Sequence, residues 1–297
     1  MTQLKLMALR HSAFYSPYLM TMAGGHLKQA GFDVSYQLQT PDNLVRDRIL
    51  DGSCHVSQSA VAASFAEFNR NPADPQPVRH FAQINSRDGF FIASRQPCSD
   101  FNWQNLTGKT ILVDHFFQPL AMFRYALHKQ QIDESTLTII NAGDVKQIDN
   151  AFRAGQGDFV HQQGPAPQQL EADGLAHVVA SVGDVIGPLA FSSLCAHHDW
   201  LSTDMASAFF AVYQQALQQC NQESAQSLAH QLQAYGFLTE IDSAVLTSTI
   251  ATYQALGCWK HQGHIETAEF ATLLEVFTHS GLIEKRPSYE QLIALPG

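Results

Sequence analysis

Charge is scarce in this sequence. Asp, Glu, Lys and Arg make up 15 % of its 297 residues, and 17 basic residues stand against 27 acidic ones, a net charge of −10 with histidine neutral. Lys and Arg form no stripe, so the electrostatic footprint of a nucleic-acid binder is missing and no nucleic-acid partner is expected. Cysteine is sparse too: Cys54, Cys98, Cys195, Cys220 and Cys258 stand far apart. No CxxC pair and no Cys/His set of metal-ligand spacing occurs, so neither a structural metal nor a cofactor is expected, and the thiols are read as reduced and mostly buried. The 14 histidines include adjacent His197 and His198, and His261 and His264 three apart, but no group of four ligands. No apolar run approaches the roughly 18 residues of a membrane span, so the chain is not expected to cross one. The first ten residues alternate and lack an apolar core with a small-residue cleavage site. As written, the chain is expected to be cytoplasmic; with a preceding leader it would be periplasmic.

What is present is ample core material: 45 % of the residues are hydrophobic, which excludes disorder and supports one large or two modest domains. Strand and helix patterns alternate with glycine and proline between them. Strands are predicted over 4–9, 33–38, 54–57, 78–84 and 89–94, then over 110–113, 137–140, 158–161, 177–180 and 189–196. Helices are predicted from Ser16-Pro17, with Ser16 as N-cap, from Thr40-Pro41, over the small-residue stretch 59–66, over 119–129 and from Asp144. Asp144 with Gln147 three residues on forms a capping-box pattern. A polar, proline-bearing loop is read over 69–77, and from Asp199 onward the chain reads as largely helical. Alternating strands and helices imply α/β architecture with mostly parallel sheets. Two successive series imply two lobes, 1–94 with 189–297 and 95–188, joined by crossovers near 94–102 and 187–191.

Open parallel sheets bind ligands beyond the carboxyl ends of their strands, where helix N-termini present free N–H groups. The corresponding turns run over 11–16, 39–40, 57–59, 114–118 and 161–164. They place His11, Ser12, Phe14, Tyr15, Thr40, Ser57, Gln58, Ser59, His115, Phe116, His161 and Gln162 as candidate ligand contacts. Hydroxyl, amide, imidazole and aromatic groups together suit a small polar or flat solute. Several have structural readings as well: Ser16 and Thr40 as caps, Gln58 and Ser59 as the start of a helix, Phe116 and Phe117 as core. Arg87, between two strands in the loop 85–92, either grips an anion in a fork or pairs with Asp88 at the surface.

Four segments then resemble a known family. These are Ala23-Gly24-Gly25-His26-Leu27-Lys28-Gln29-Ala30-Gly31-Phe32-Asp33-Val34, Leu106-Thr107-Gly108-Lys109-Thr110-Ile111-Leu112-Val113, Ala154-Gly155-Gln156-Gly157-Asp158 and Asp199-Trp200-Leu201. In order and spacing they are similar to the nitrate/sulfonate/thiamine-pyrimidine (NMT1/THI5-like) branch of the type II periplasmic solute-binding proteins. That resemblance implies a two-lobed, periplasmic-binding-protein-like type II fold and a small polar, anionic or heteroaromatic solute between the lobes. It also implies an ABC permease as partner. Two enzyme branches share the fold. The pyrimidine-synthase branch needs a lysine and a histidine where this chain has Ser59 and Ala63, so its chemistry is not expected here. The aromatic-desulfinase branch uses a cysteine nucleophile, a histidine and an R-x-G-F-F loop. His55 and Arg87-Asp88-Gly89-Phe90-Phe91 match, but the cysteine position falls near Ser12. The alternative reading is therefore a desulfinase-like or hydrolytic enzyme using Ser12, His55 and Arg87.

Overall fold

The computed structural model describes residues 2–71 and 76–297; positions 72–75 of the loop read over 69–77 lie outside them. The first series runs β1 (Thr2–Ala8), α1 (Ser16–Ala23), α2 (His26–Gln29), β2 (Phe32–Leu38), α3 (Val45–Leu50), β3 (Val56–Ser59), α4 (Phe65–Arg70) and β4 (Val78–Asn85). The second runs β5 (Phe90–Ser94), β6 (Thr110–Val113), α5 (Phe117–Lys129), β7 (Thr138–Ile140), α6 (Val145–Arg153), β8 (Phe159–Gln163), α7 (Ala166–Ala172), β9 (His177–Ser181) and α8 (Val182–Ile186). The chain then returns through β10 (Ser192–His197). It ends in α9 (His198–Leu201), α10 (Asp204–Gln222), α11 (Ala225–Tyr235), α12 (Ser243–Leu256), α13 (Thr267–His279) and α14 (Tyr289–Leu292).

Two five-stranded sheets result, ordered β2-β1-β3-β10-β4 and β7-β6-β8-β5-β9. Parallel pairing joins β1 to β2 and β3, and β6 to β7 and β8. β10 is antiparallel to β3 and β4, and β5 is antiparallel to β8 and β9. Four strands of each sheet therefore share one direction and one opposes them. The reason is topological. The four strands end at the space between the sheets, whereas the strand arriving from the other sheet begins there and must run away from it.

This corrects the expected first crossover. The chain leaves the first sheet between Asn85 and Phe90, not over 94–102, because β5 pairs with β8 and β9 and belongs to the second sheet. The apolar run 90–94 fits either sheet by pattern; long-range pairing decides. The second passage, between α8 and β10, spans 187–191.

Local signals were also redistributed. Ser16 does not cap α1: it is the helix's first residue, and its hydroxyl donates to the Ala13 carbonyl at 2.6 Å. Thr40 does not cap α3 but bridges to Asn43; the Gln39 side chain accepts the Val45 N–H instead, at 3.1 Å. Asp144 caps α6 with Gln147 reciprocating. The main core runs through both sheets without interruption, from Leu4 and Phe81 to Ile111 and Phe123. A smaller cluster of Leu112, Ile148, Phe152, Val160 and Leu170 lies under α6 and α7. Among the described residues, no helix is long and apolar enough to cross a membrane.

Candidate functional site

The strand ends of both sheets converge on one cavity of ≈ 610 Å³, a volume suited to a small organic molecule. From the first sheet come Leu9, Arg10, Gln39, Gln58, Ser59 and Ala60, with Tyr15 beside them. From the second come Asp114, His115 and Phe116 after β6, Asn141 and Gly143 after β7, and the starts of α5 and α6. The two reversed strands contribute their first residues, Phe90, and Ser192 with Phe191 before it.

The first wall is held by its own hydrogen bonds. Arg10 Nη2 donates to Gln163 Oε1 at 3.1 Å, a contact from the first sheet to the second. Chiefly the Tyr15 phenol, and more weakly Asp114, hold the Arg10 proton more tightly than usual against the opposing cost of burial. Arg10 as a whole residue is exposed. Gln58 is buried, and its carbonyl oxygen accepts the Leu9 N–H at 3.1 Å, fixing the end of β1.

The second wall presents acceptors. Asp114 Oδ1 accepts the Phe116 N–H at 2.9 Å, leaving the other carboxylate oxygen available. His115 Nδ1 lies 2.7 Å from the Val113 carbonyl. A carbonyl only accepts, so that nitrogen carries a proton. No side chain caps α5, and its positive end faces the Asp114 carboxylate. Phe116 is 75 % exposed at the rim.

Of the residues expected at the site, Tyr15, Gln58, Ser59, His115 and Phe116 line the cavity together. The others lie elsewhere. His11 stacks on Tyr36 at 5.8 Å and meets Phe237 edge-on. Ser12 Oγ is spent on Gln163 and on the Phe14 N–H. Phe14 is fully buried against Phe191 and Tyr253. Thr40 is exposed outside the cavity, and the Ser57 hydroxyl bonds to the Met7 carbonyl. Gln162 reaches back to the Val145 carbonyl. His161 is buried between Phe90 and Phe123, its pKa lowered to about 3 by that burial first and by His115 second. Neither of its ring nitrogens finds a hydrogen-bond partner among the described residues. Gln58 and Ser59 end β3 and do not begin a helix.

Arg87 and Asp88 fit neither sequence reading. Arg87 bonds to the Gly183 carbonyl and approaches Asp184 at 3.9 Å on the far side of the crossover, while Asp88 is fully buried and accepts the Phe90 N–H. The enzymatic alternative fails on placement. His55 precedes β3, at the end away from the cavity, accepting the Lys5 N–H and stacking on Trp200. Ser12, His55 and Arg87 thus have separate partners and are not brought together. Arg10, Asp114, Asp144, Phe90 and Phe191 line the cavity too and were missed in the sequence. Arg10 and Asp114 sit just past strand ends, where the sequence rule could have found them. Phe90 and Phe191 lie at the starts of reversed strands, which that rule does not cover.

The protein resembles "Putative binding protein YtlA" of Bacillus subtilis (strain 168), 25 % identical across 99 % of this chain and 88 % of that one. Its fold matches the ligand-binding component of an ABC-type import system from Staphylococcus aureus, solved with zinc bound, with a TM-score of 0.74 and 14 % identity over 99 % of this chain and 97 % of that one. It also matches the periplasmic aliphatic sulphonate binding protein SsuA from Escherichia coli, with a TM-score of 0.73 and 12 % identity over 100 % and 93 % of the two chains. The family model described as NMT1/THI5 like matches residues 13–227, and with the two-lobed type II architecture this establishes that the chain belongs to the NMT1/THI5-like family.

Proposed function

We propose that this protein is the solute-binding component of an ABC-type uptake system. It clasps a small polar or heteroaromatic molecule between its lobes and presents it to a permease, on the periplasmic side of the membrane. The observation that carries the reading is the ≈ 610 Å³ cavity built from strand ends of both sheets. A solute there touches both lobes at once and favours their approach. Tyr15, Gln58, Ser59, His115 and Phe116 are its proposed contacts, with Arg10 and Asp114. Family membership and the import roles named for the structural neighbours support the same reading.

The test is thermal unfolding of the purified protein against pyrimidines, sulfonates, small aromatic acids and amines, and the small-molecule fraction of a cell extract. A rise in Tm that grows with ligand concentration, without turnover, is expected, corresponding to about 2.7 kcal/mol of stabilisation at a hundred times Kd. If neither the panel nor the extract shifts the transition, solute binding is the wrong function.

A further inference from the structure

The two walls of the cavity carry opposite charge. Arg10 projects from the first lobe, tethered to Gln163. Asp114 projects from the second, where its Oδ1 is fixed by the Phe116 N–H. Asp144 adds a second carboxylate to the second wall, one of its oxygens already capping α6. Arg10 and Asp114 do not pair with each other: none of the ion pairs among the described residues joins them. The cavity therefore sets a cationic side chain on one wall against carboxylates on the other. Tyr15 adds a ring to the first wall and Phe116 one to the second, while Phe90 and Phe191 line the cavity from the reversed strands.

Building on the solute-binding reading, we infer that the ligand is a flat molecule with a protonated or amino donor group at one end and an anionic or acceptor group at the other. The donor end bonds to Asp114 and the acceptor end to Arg10. A compact anion fits this slot poorly. It would gain Arg10 but would face the carboxylates of Asp114 and Asp144. The start of α5, which no side chain caps, would favour such an anion, but the Asp114 carboxylate beside it opposes that gain. A bipolar ligand replaces water on both walls with charge-assisted hydrogen bonds. Because those walls belong to different lobes, it also draws the lobes together. The structural neighbour named for aliphatic sulphonates thus shares this chain's fold, while the wall chemistry here selects a different ligand class.

Isothermal titration with four probes of one shape tests this: 4-(aminomethyl)benzoate, 4-methylbenzoate, 4-methylbenzenesulfonate and benzylamine. The bipolar probe is expected to bind about tenfold or more tightly than either simple anion, the effect of one charge-assisted bond. In Asp114→Asn that preference disappears and 4-methylbenzoate binds better than to the parent. Asparagine can still accept the Phe116 N–H, and circular dichroism of the variant verifies its fold. In Arg10→Gln both carboxylate probes weaken about tenfold while benzylamine is unaffected. A simple anion that binds as tightly as the bipolar probe overturns the inference. So does an Asp114→Asn variant with unchanged preference, or a complete absence of binding by all four probes. Each of these leaves solute binding itself to the thermal-shift result with the broad panel and extract.

Discussion

Asp88 shows how one buried carboxyl couples the crossover to pH. It is fully buried, one oxygen accepts the Phe90 N–H at 2.6 Å, and the other has no partner among the described residues. Burial first, and the Asp114 charge less, push its pKa up to about 8, against the pull of the Phe90 N–H. An aspartate in the unfolded chain ionises near pH 3.9. Between roughly pH 4 and pH 8 the folded protein therefore holds a proton that the unfolded chain has lost, and this group makes stability fall as pH rises through that window. Asp88→Asn keeps an acceptor for Phe90 and cannot ionise. Its stability relative to the parent is expected to be flat near pH 4 and to grow by roughly 1.4 kcal/mol per pH unit toward pH 8, measured by urea unfolding at pH 4, 6 and 8. Parallel pH profiles for the two proteins would contradict the buried-acid account. The sequence offered no sign of this role. Arg87 reads as an anion grip or as a surface partner of Asp88, and only the packing of α8 over the loop buries Asp88 and engages Arg87 with the Gly183 carbonyl.

At the level of elements, α12 secures the passage between lobes. The Tyr253 hydroxyl reaches the carbonyls of Gly89 and Gly164 at 3.2 and 3.3 Å, so a C-terminal helix holds the start of β5 and the end of β8. The Phe14 carbonyl accepts from Asn85 Nδ2 at 2.7 Å and from Trp259 Nε1 at 3.0 Å. Removing the Tyr253 hydroxyl keeps the ring in place against Phe14 and Phe91 but leaves buried carbonyl capacity unmet. Tyr253→Phe is expected to lose about 1–3 kcal/mol of stability, read from the denaturant midpoint at constant m-value. A change under about 0.5 kcal/mol, typical of a surface site, would show that the contact does not fasten the crossover. Most strands and helices were legible from hydrophobic period and capping chemistry. The misread stretch was 54–66. Its short alternating and small-residue segments fit strand or helix equally, so the strand was set two residues early and His55, which precedes β3, was placed inside it.

For the whole molecule, the same geometry predicts a change of shape. The cavity opens between two lobes joined by two passages of backbone, and a ligand touching both walls favours the closed arrangement. A compact chain of this length has a radius of gyration of about 19 Å. Small-angle scattering is expected to show that radius falling when a ligand from the thermal panel saturates the protein; a bound ligand with no contraction would mean that the lobes are already fixed. The sequence by itself determined the α/β class, the two successive series, the capping of α6 and the polar and aromatic groups at the strand ends. These follow from local periodicity and backbone hydrogen-bonding needs, which neighbouring residues express. Only the tertiary structure decided which sheet β5 joins, which loop residues turn into the cavity and which are spent on buried partners. Those outcomes depend on pairings between residues far apart in the chain, such as Arg10 with Gln163, and no local pattern encodes them.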